Sequence, residues 1–140
     1  MGARIEHIGL DGLVAVTDNR TLADAQAEAV ERLRGEFDAQ VAKGAVYSGK
    51  PIQIDDASQM RMAAVVTQIT AGVPLPAGFA WRCADNSYLP VNTNQMVGLA
   101  SAASARVMAL RVALWPAVDA ARAAKTRDEA DAVKATWPAS

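Results

Sequence analysis

The stretch IDDASQMRM, residues 54–62, holds the densest group of side chains that could do chemistry. Asp55 and Asp56 are adjacent carboxylates, and Ser58 and Arg61 add a hydroxyl and a guanidinium within seven positions. Two carboxylates act as an acid and a base only when their surroundings separate their pKa values. The sequence places no histidine or lysine predictably near this pair, so nothing in it indicates how the separation would arise.

The same carboxylates suit the first turn of a helix. A carboxylate there accepts hydrogen bonds from backbone N–H groups and meets the positive end of the helix dipole. We therefore interpret Asp55 or Asp56 as a helix cap. The alternative is a small hydrolase that uses Asp55, Asp56 or Asp85. It requires a concave pocket in which two carboxylates face each other at about 5–10 Å.

Cys83 and His7 are the only cysteine and the only histidine. One of each cannot make a zinc site or an internal disulfide. Cys83 is expected to be a packed thiol in a strand, and His7 an exposed or edge residue. The phosphate loop, dinucleotide glycine pattern, calcium loop and nucleophile elbow are absent from the sequence. The sequence therefore predicts no catalytic, cofactor-binding or metal-binding residues, and a protein that is not an enzyme.

Composition narrows the possible partners. The chain has 140 residues, about half of them apolar, and a formal charge of −1. This length suggests one domain with a small appendage, and the balanced charge speaks against nucleic-acid binding. Residues 96–118 are apolar but are interrupted by Arg106, Arg111 and Pro116, so we expect no membrane insertion. The first residues lack the pattern of a secretory signal.

Residues 1–44 predict a hairpin followed by a long helix. Asp11-Gly12 suits a two-residue turn, Thr21 with Asp24 forms a capping box, and Lys43-Gly44 marks the helix end. Gly35 is interpreted as a site of close packing, and Glu28 with Arg32 as a helical ion pair. The predicted buried stripe consists of Val30, Leu33, Phe37 and Val41.

Residues 45–91 predict two hairpins with a helix between them. The first hairpin turns at residues 48–50, and the second at Asp85-Asn86. The helix is predicted over residues 57–71, with Gly72 ending it. Its predicted inner face consists of Met60, Ala64, Val65 and Ile69.

The remaining residues predict a long helix and a short one. Asn92 or Thr93 caps the long helix, and Pro116 is predicted to kink or break it. Thr126 begins a capping box, and the short helix is predicted to end at Trp137-Pro138. The apolar seam of the long helix fits an ordinary buried face better than a coiled coil; it consists of Met96, Ala100, Ala103, Val107, Leu110 and Leu114.

These elements predict an α+β fold: short antiparallel hairpins packed with three to four helices. Residues 1–44 are interpreted as an attachment or oligomerisation arm, because a hairpin and a helix with a narrow apolar stripe bury little surface alone. Residues 45–138 are interpreted as a compact α+β domain.

Four stretches, in this order and spacing, resemble domain-of-unknown-function family 4376. They are YSGKPIQIDDASQMRM, FAWRCADNSYLPV, the NTNQM helix start and TRDEADAVKATWP. Small departures are the connector VPLPAG and Asn86 where a turn glycine is more usual. The family is found mainly at the C-termini of bacteriophage and prophage tail proteins.

The resemblance implies a setting in the virion. It implies a structural component of a tail fibre or of the baseplate periphery, made in the host cytoplasm and bound to other tail proteins. A homo-oligomer is expected, with a trimer as the guess because tail fibres are commonly threefold. The alternative is a fibre-assembly chaperone. The family's Ser-Gln pair maps onto Ser58 and Gln59, which we interpret as tying the helix to the neighbouring hairpin. No catalytic residue is implied.

Overall fold

The computed structural model describes residues 4–8 and 14–140, with side chains from Asp18 onward. The predicted turn at Asp11-Gly12 lies outside the described residues. The predicted order of elements and the α+β class are confirmed. In chain order the elements are β1 (Arg4–Ile8), β2 (Val14–Asp18), α1 (Leu22–Ala42), β3 (Ala45–Tyr47), β4 (Lys50–Ile52), α2 (Asp56–Thr70), β5 (Ala80–Arg82), β6 (Tyr88–Pro90), α3 (Thr93–Ala123) and α4 (Arg127–Ala132).

The strands form three separate antiparallel hairpins, β1-β2, β3-β4 and β5-β6. The β3-β4 turn is Ser48-Gly49, and both residues have positive φ angles, 50° and 74°. Such a pair gives the turn the twist that a two-residue hairpin needs. Asn86 in the β5-β6 turn also has a positive φ, 66°. Asparagine tolerates this conformation better than most residues, so the turn does not require glycine at this position.

Helix α1 begins and ends as predicted. The Asp24 backbone N–H donates to Thr21 Oγ1 at 3.0 Å, and the Thr21 N–H donates to Asp24 Oδ2 at 3.2 Å. After the last turn Gly44 has φ +71°. A Cβ added there would lie 2.5 Å from the Ile52 carbonyl oxygen. Glycine is therefore required both by backbone conformation and by the close approach of β4.

Two predictions within α1 are wrong. Glu28 pairs with Arg20 at 2.6 Å, whereas Arg32 pairs with Glu36 at 3.3 Å, so the helical ion pair lies one turn later. Gly35 is not a site of close packing, since a Cβ added there meets nothing within 4 Å. In both cases the neighbouring elements, which local spacing does not reveal, decide the contacts.

The inner face of α2 differs from the prediction. Met60 is 73% exposed, whereas Met62 is 2% exposed and Ser58 is buried. Ala64 is exposed, and Val65 and Ile69 pack partly buried against the core. The buried positions 58 and 62 and the partly buried positions 65 and 69 follow helical spacing, but the first is polar. The apolar pattern therefore pointed to Met60 instead.

Helix α3 begins at a reciprocal cap. The Gln95 N–H donates to Asn92 Oδ1 and the Asn92 N–H to Gln95 Oε1, both at 2.8 Å, so Asn92 is the cap. The predicted break at Pro116 is wrong, because α3 continues to Ala123, whereas the predicted kink stays a prediction. Leu114, Ala117 and Val118 around it are buried, and this packing offsets the hydrogen bond that proline cannot make.

Length and composition alone would allow α3 to cross a membrane. The core helices of globular proteins meet the same criterion. Five of the six predicted seam residues are buried, and Ala100 packs against the core, as expected for an ordinary buried helix face.

The C-terminal helix α4 is shorter than predicted. Glu129 donates its N–H to Thr126 Oγ1 at 3.1 Å, which confirms the cap, but the helix ends at Ala132 rather than Trp137. The tail beyond it is held by other contacts. The Trp137 ring lies 6.4 Å from that of Phe37, and Arg106 donates to the carbonyls of residues 138 and 139.

The chain divides into two compact units, which differ from the predicted segments 1–44 and 45–138. Unit 1 contains residues 1–36 and 114–136, and unit 2 contains residues 37–113 and 137–140. Helices α1 and α3 each contribute residues to both units. The boundary between the units therefore crosses the chain at more than one position. The core of unit 2 consists of Ile52, Ile54, Met62, Val91, Met96, Leu99, Ala103 and Val107.

Candidate functional site

A cleft of about 500 Å³ lies in unit 2 and is here called the α2 cleft. One wall is α2, with Ser58, Arg61 and Val65. The other is the β5-β6 hairpin and its flanks. A concave, mostly apolar pocket with a few polar groups is the usual form of a ligand site.

Backbone hydrogen bonds hold the hairpin wall in place. The Ala84 N–H donates to the Pro51 carbonyl at 2.8 Å and so joins the third hairpin to the second. Within the turn, the Cys83 N–H donates to the Ser87 carbonyl at 2.8 Å, and the Asn86 N–H donates to the Cys83 carbonyl at 3.0 Å. The lining residues of the hairpin wall therefore lie in a turn that is closed by backbone hydrogen bonds.

The hairpin wall combines aromatic and charged side chains. Phe79 and Trp81 line the cleft and pack partly buried against the core of unit 2. Arg82 also lines it, donating to Asn86 Oδ1 at 3.2 Å and lying 5.8 Å from the Tyr88 ring centroid. The aromatic rings are fixed by packing, while the guanidinium groups of Arg61 and Arg82 stand at exposed positions.

Cys83 and Ser58 form part of the same lining. Cys83 is 3% exposed, and its Sγ lies 3.8 Å from the Trp81 carbonyl oxygen, which confirms the predicted packed thiol, although β5 ends one residue earlier, at Arg82. Ser58 is equally buried, at 3%. Both residues line the cleft with small side chains, which leave room between α2 and the hairpin.

Asp55 and Asp56 lie elsewhere, in a groove of about 310 Å³, here called the aspartate groove. Asp38, Phe37 and Arg111 share it. Asp55 is the N-cap residue of α2 by position, but its side chain makes no capping hydrogen bond. The predicted capping bond by Asp55 is therefore wrong, although the carboxylates do lie at the positive end of the helix as expected.

Gln59 makes a different contact at the start of α2, as a donor to a backbone carbonyl. Its Nε2 donates to the Ile54 carbonyl at 2.9 Å, and so ties the first turn of α2 to the segment that follows β4. Ile54 lies between β4 and α2, so this bond reaches the connecting segment, and the link to the hairpin itself stays a prediction. Ser58 contributes through burial in the cleft wall instead.

Asp85 is separated from the other two candidate acids. Its Oδ1 accepts hydrogen bonds from the Ser87 N–H at 3.0 Å and the Ser87 hydroxyl at 2.5 Å. These bonds hold the pKa of Asp85 below its usual value, with a smaller contribution from the Lys50 charge. Asp85 lines neither the α2 cleft nor the aspartate groove. Of the three acids named for a hydrolase, only Asp55 and Asp56 share a groove.

Across the part of the chain that the structure describes, no group of three or more His, Cys, Asp and Glu side chains could hold a metal ion. His7 lies in β1, opposite Ala15 of β2, and its side chain lies outside the described residues.

Unit 1 contains an ion cluster that the sequence did not reveal. Arg20 is 5% exposed, and its guanidinium lies 2.6 Å from Asp18 and Glu28 and 2.7 Å from Asp131. Its hydrogen bond holds the pKa of Asp18 well below the usual range, and the three carboxylates together raise the pKa of Arg20 further. Arg127 adds hydrogen bonds to the carbonyls of Asp18 and Arg20. The cluster joins the start of α1 to α4.

The chain was compared with known protein families, curated proteins and solved structures. The model of a domain of unknown function (DUF4376) matches residues 24–135, most of the chain. No curated protein and no solved structure matches. The match spans both walls of the α2 cleft and the aspartate groove.

Proposed function

The chain belongs to the DUF4376 family, and on this premise we propose that it is a non-enzymatic structural and interaction component of a bacteriophage tail. The support for the tail setting is the resemblance described for the sequence, since family members stand mainly at the C-termini of tail proteins. The proposed position is a tail fibre or the periphery of the baseplate, and the proposed partners are other tail proteins and further copies of this chain.

The surface of the helices supports an interaction role. Met108 and Val112 lie one turn apart on α3 and are 53% and 57% exposed, and Met60 on α2 is 73% exposed. Covering large exposed apolar side chains with another surface removes them from water, and this burial lowers the free energy. A component of an assembled tail would have such a covering surface.

Ser58 and Gln59 are proposed to stabilise the domain that performs this role. Gln59 joins α2 to the segment after β4, and Ser58 is buried in the α2 wall of the cleft. Replacing both residues with alanine is expected to lower the Tm. If the Tm stays the same while particles fail to assemble, the two residues form an interface and have no role in stability.

The experiment that tests the tail proposal is mass spectrometry of purified particles, followed by localisation of this chain in images of intact particles. Detection in stoichiometric copies at the tail supports the proposal. A chain that is required for assembly and missing from finished particles would indicate a fibre-assembly chaperone. Particles that assemble and infect normally without the gene would contradict both.

Hydrolase activity is the remaining candidate, and it is now limited to the aspartate groove. Asp55 and Asp56 share that groove with Asp38, whereas Asp85 is bound to Ser87 elsewhere. Turnover of a glycan substrate that is lost on Asp56→Asn substitution, with the Tm unchanged, would favour the enzyme over the structural role.

A further inference from the structure

We propose that the α2 cleft binds an organic carboxylate with an apolar body: a small aromatic acid, or the C-terminus of a peptide that ends in an aromatic or branched residue. This inference does not depend on the tail proposal. It rests on the charge, the apolar lining and the size of the cleft.

The charge of the lining is positive. Arg61 and Arg82 both line the cleft, and no aspartate or glutamate does. A guanidinium has five N–H donors in a planar fork that matches the two oxygens of a carboxylate. Arg82 donates to Asn86 Oδ1 and has further donors to offer. An anion is therefore the complementary ligand.

The acidic residues nearest to the cleft-lining residues in the sequence do not line the cleft. Asp85, next to Asn86, accepts hydrogen bonds from the backbone and hydroxyl of Ser87. Asp55 and Asp56, just before the α2 wall, line the aspartate groove. None of these carboxylates lines the cleft, and the ligand would supply the negative charge there.

The rest of the lining favours an apolar body. Val65, Phe79 and Trp81 line the cleft and are partly buried against the core, so their positions are set before any ligand binds. A volume of about 500 Å³ falls within the range of small-molecule sites. An aromatic ring or a branched side chain would fill the apolar part, while its carboxylate reached the guanidinium groups.

The test uses the full chain and three probes in calorimetric titrations: 3-phenylpropionate, acetyl-Gly-Gly-Phe with a free carboxylate, and the same peptide as its C-terminal amide. Both acids are expected to bind, and the amide at least about fivefold more weakly than the matching acid. Raising the salt concentration should lower the affinity for the acids and leave the affinity for the amide unchanged, because salt screens the charges of the exposed arginines.

Comparison of the two acids identifies the source of the ligand. A peptide acid that binds at least tenfold tighter than 3-phenylpropionate indicates a protein C-terminus, since the extra affinity comes from the peptide backbone. Equal affinities indicate a small free acid. Both results support a carboxylate site.

Substitutions locate the binding. Arg61→Gln and Arg82→Gln are each expected to lower the affinity for the two acids about threefold to tenfold, as for exposed charge pairs. Their affinity for the amide should not change. Arg34→Gln is the matched control, because Arg34 is exposed on α1 in unit 1. Ala64→Trp should block the cleft, whereas Ala63→Trp should not, since only Ala64 of these two exposed neighbours lines it.

Cys83 provides a second readout without any substitution. It is the only cysteine and it lines the cleft, so a bound acid should slow its reaction with a small thiol reagent. Equal binding of acid and amide, binding that the Ala64→Trp variant retains, or no binding of any probe at millimolar concentration would each overturn the proposal. Far-UV circular dichroism confirms that every variant is folded.

Discussion

At the scale of single residues, Arg20 shows what local sequence does not reveal. Its three carboxylate partners are two, eight and 111 positions away. The first two could be guessed from proximity, but the third exists only because α4 returns to the start of α1. Asp18 and Asp131 carry no motif that marks them. Without the fold, these residues read as ordinary surface charges.

The ion cluster predicts a specific dependence of stability on pH. Arg20 holds the pKa of Asp18 below its usual value of 3.8, so the folded chain keeps this carboxylate ionised where the unfolded chain binds a proton. Asp18 therefore stabilises the fold fully above about pH 5, and this contribution is lost as the pH falls below about 4. Thermal melts between pH 7 and pH 2.5 measure it.

The comparison variant is Asp18→Asn, which removes the titrating group and keeps its size. It should have a lower Tm than the natural chain at pH 7, and the two Tm values should converge as the pH falls. Other carboxylates titrate in the same range, and their effect is common to both proteins. A difference in Tm that stays constant down to pH 2.5 would contradict a role for the Asp18 charge.

Two glycines in and after α1 should respond to the same substitution with opposite signs. Gly44→Ala is expected to destabilise unit 2 by at least about 1–2 kcal/mol, from the left-handed backbone alone. The clash with the Ile52 carbonyl adds to this. Gly35→Ala is expected to stabilise the chain by about 1 kcal/mol, since the helix gains a better former and the added Cβ meets nothing.

Urea denaturation of the two variants measures these changes. Because each variant adds one methyl group at a glycine, each serves as the control for the other. Loss of stability in Gly35→Ala would show that the helix packs there after all, as the sequence had suggested.

At the scale of elements, local signals predicted most of the fold. The caps at Thr21, Asn92 and Thr126 and the stops at Gly44 and Gly72 act within a few residues, so they can be read from the sequence. The errors occurred where a second element decides the outcome. Met60 faces water although it is apolar, and α3 runs through Pro116 because its flanks are buried.

Two helix starts make a direct test of capping. Asn92→Ala removes a side-chain acceptor from the first turn of α3 and should cost about 1 kcal/mol. Asp55→Ala at the start of α2 should change stability by less than about 0.5 kcal/mol, since that side chain makes no capping bond.

Chemical denaturation of both variants under the same conditions provides the comparison, with far-UV circular dichroism to follow helix content. An Asp55→Ala variant that loses as much stability as Asn92→Ala would mean that the carboxylate caps α2 in solution. The sequence-based interpretation of this aspartate would then be correct.

At the scale of the whole molecule, the sequence identified the parts of the α2 cleft without showing that they meet. Its hairpin wall comes from the stretch FAWRCADNSYLPV, and its α2 wall comes from IDDASQMRM and the helix residues that follow it. Both stretches also carry the family resemblance. Sequence reasoning searched the first stretch for paired acids and treated the second as a packed hairpin. The signal that could have found the cleft was the recurrence of arginine beside apolar residues in both, at Arg61 and Arg82.

The prediction for the whole molecule concerns self-assembly. The tail proposal expects several copies of this chain to associate with one another. Size-exclusion chromatography with light scattering should give a mass above that of one 14.7 kDa chain, with three chains as the expected number. Val112→Glu, which places a charge on the exposed apolar surface of α3, should lower that mass. Ala120→Glu is the control and should not, because Ala120 is exposed on the same helix about two turns away from Val112. A strict monomer at high concentration would contradict self-assembly. If both variants keep the oligomer, the interface does not include Val112. Residues 1–44, which were interpreted as the oligomerisation arm, would then be substituted next.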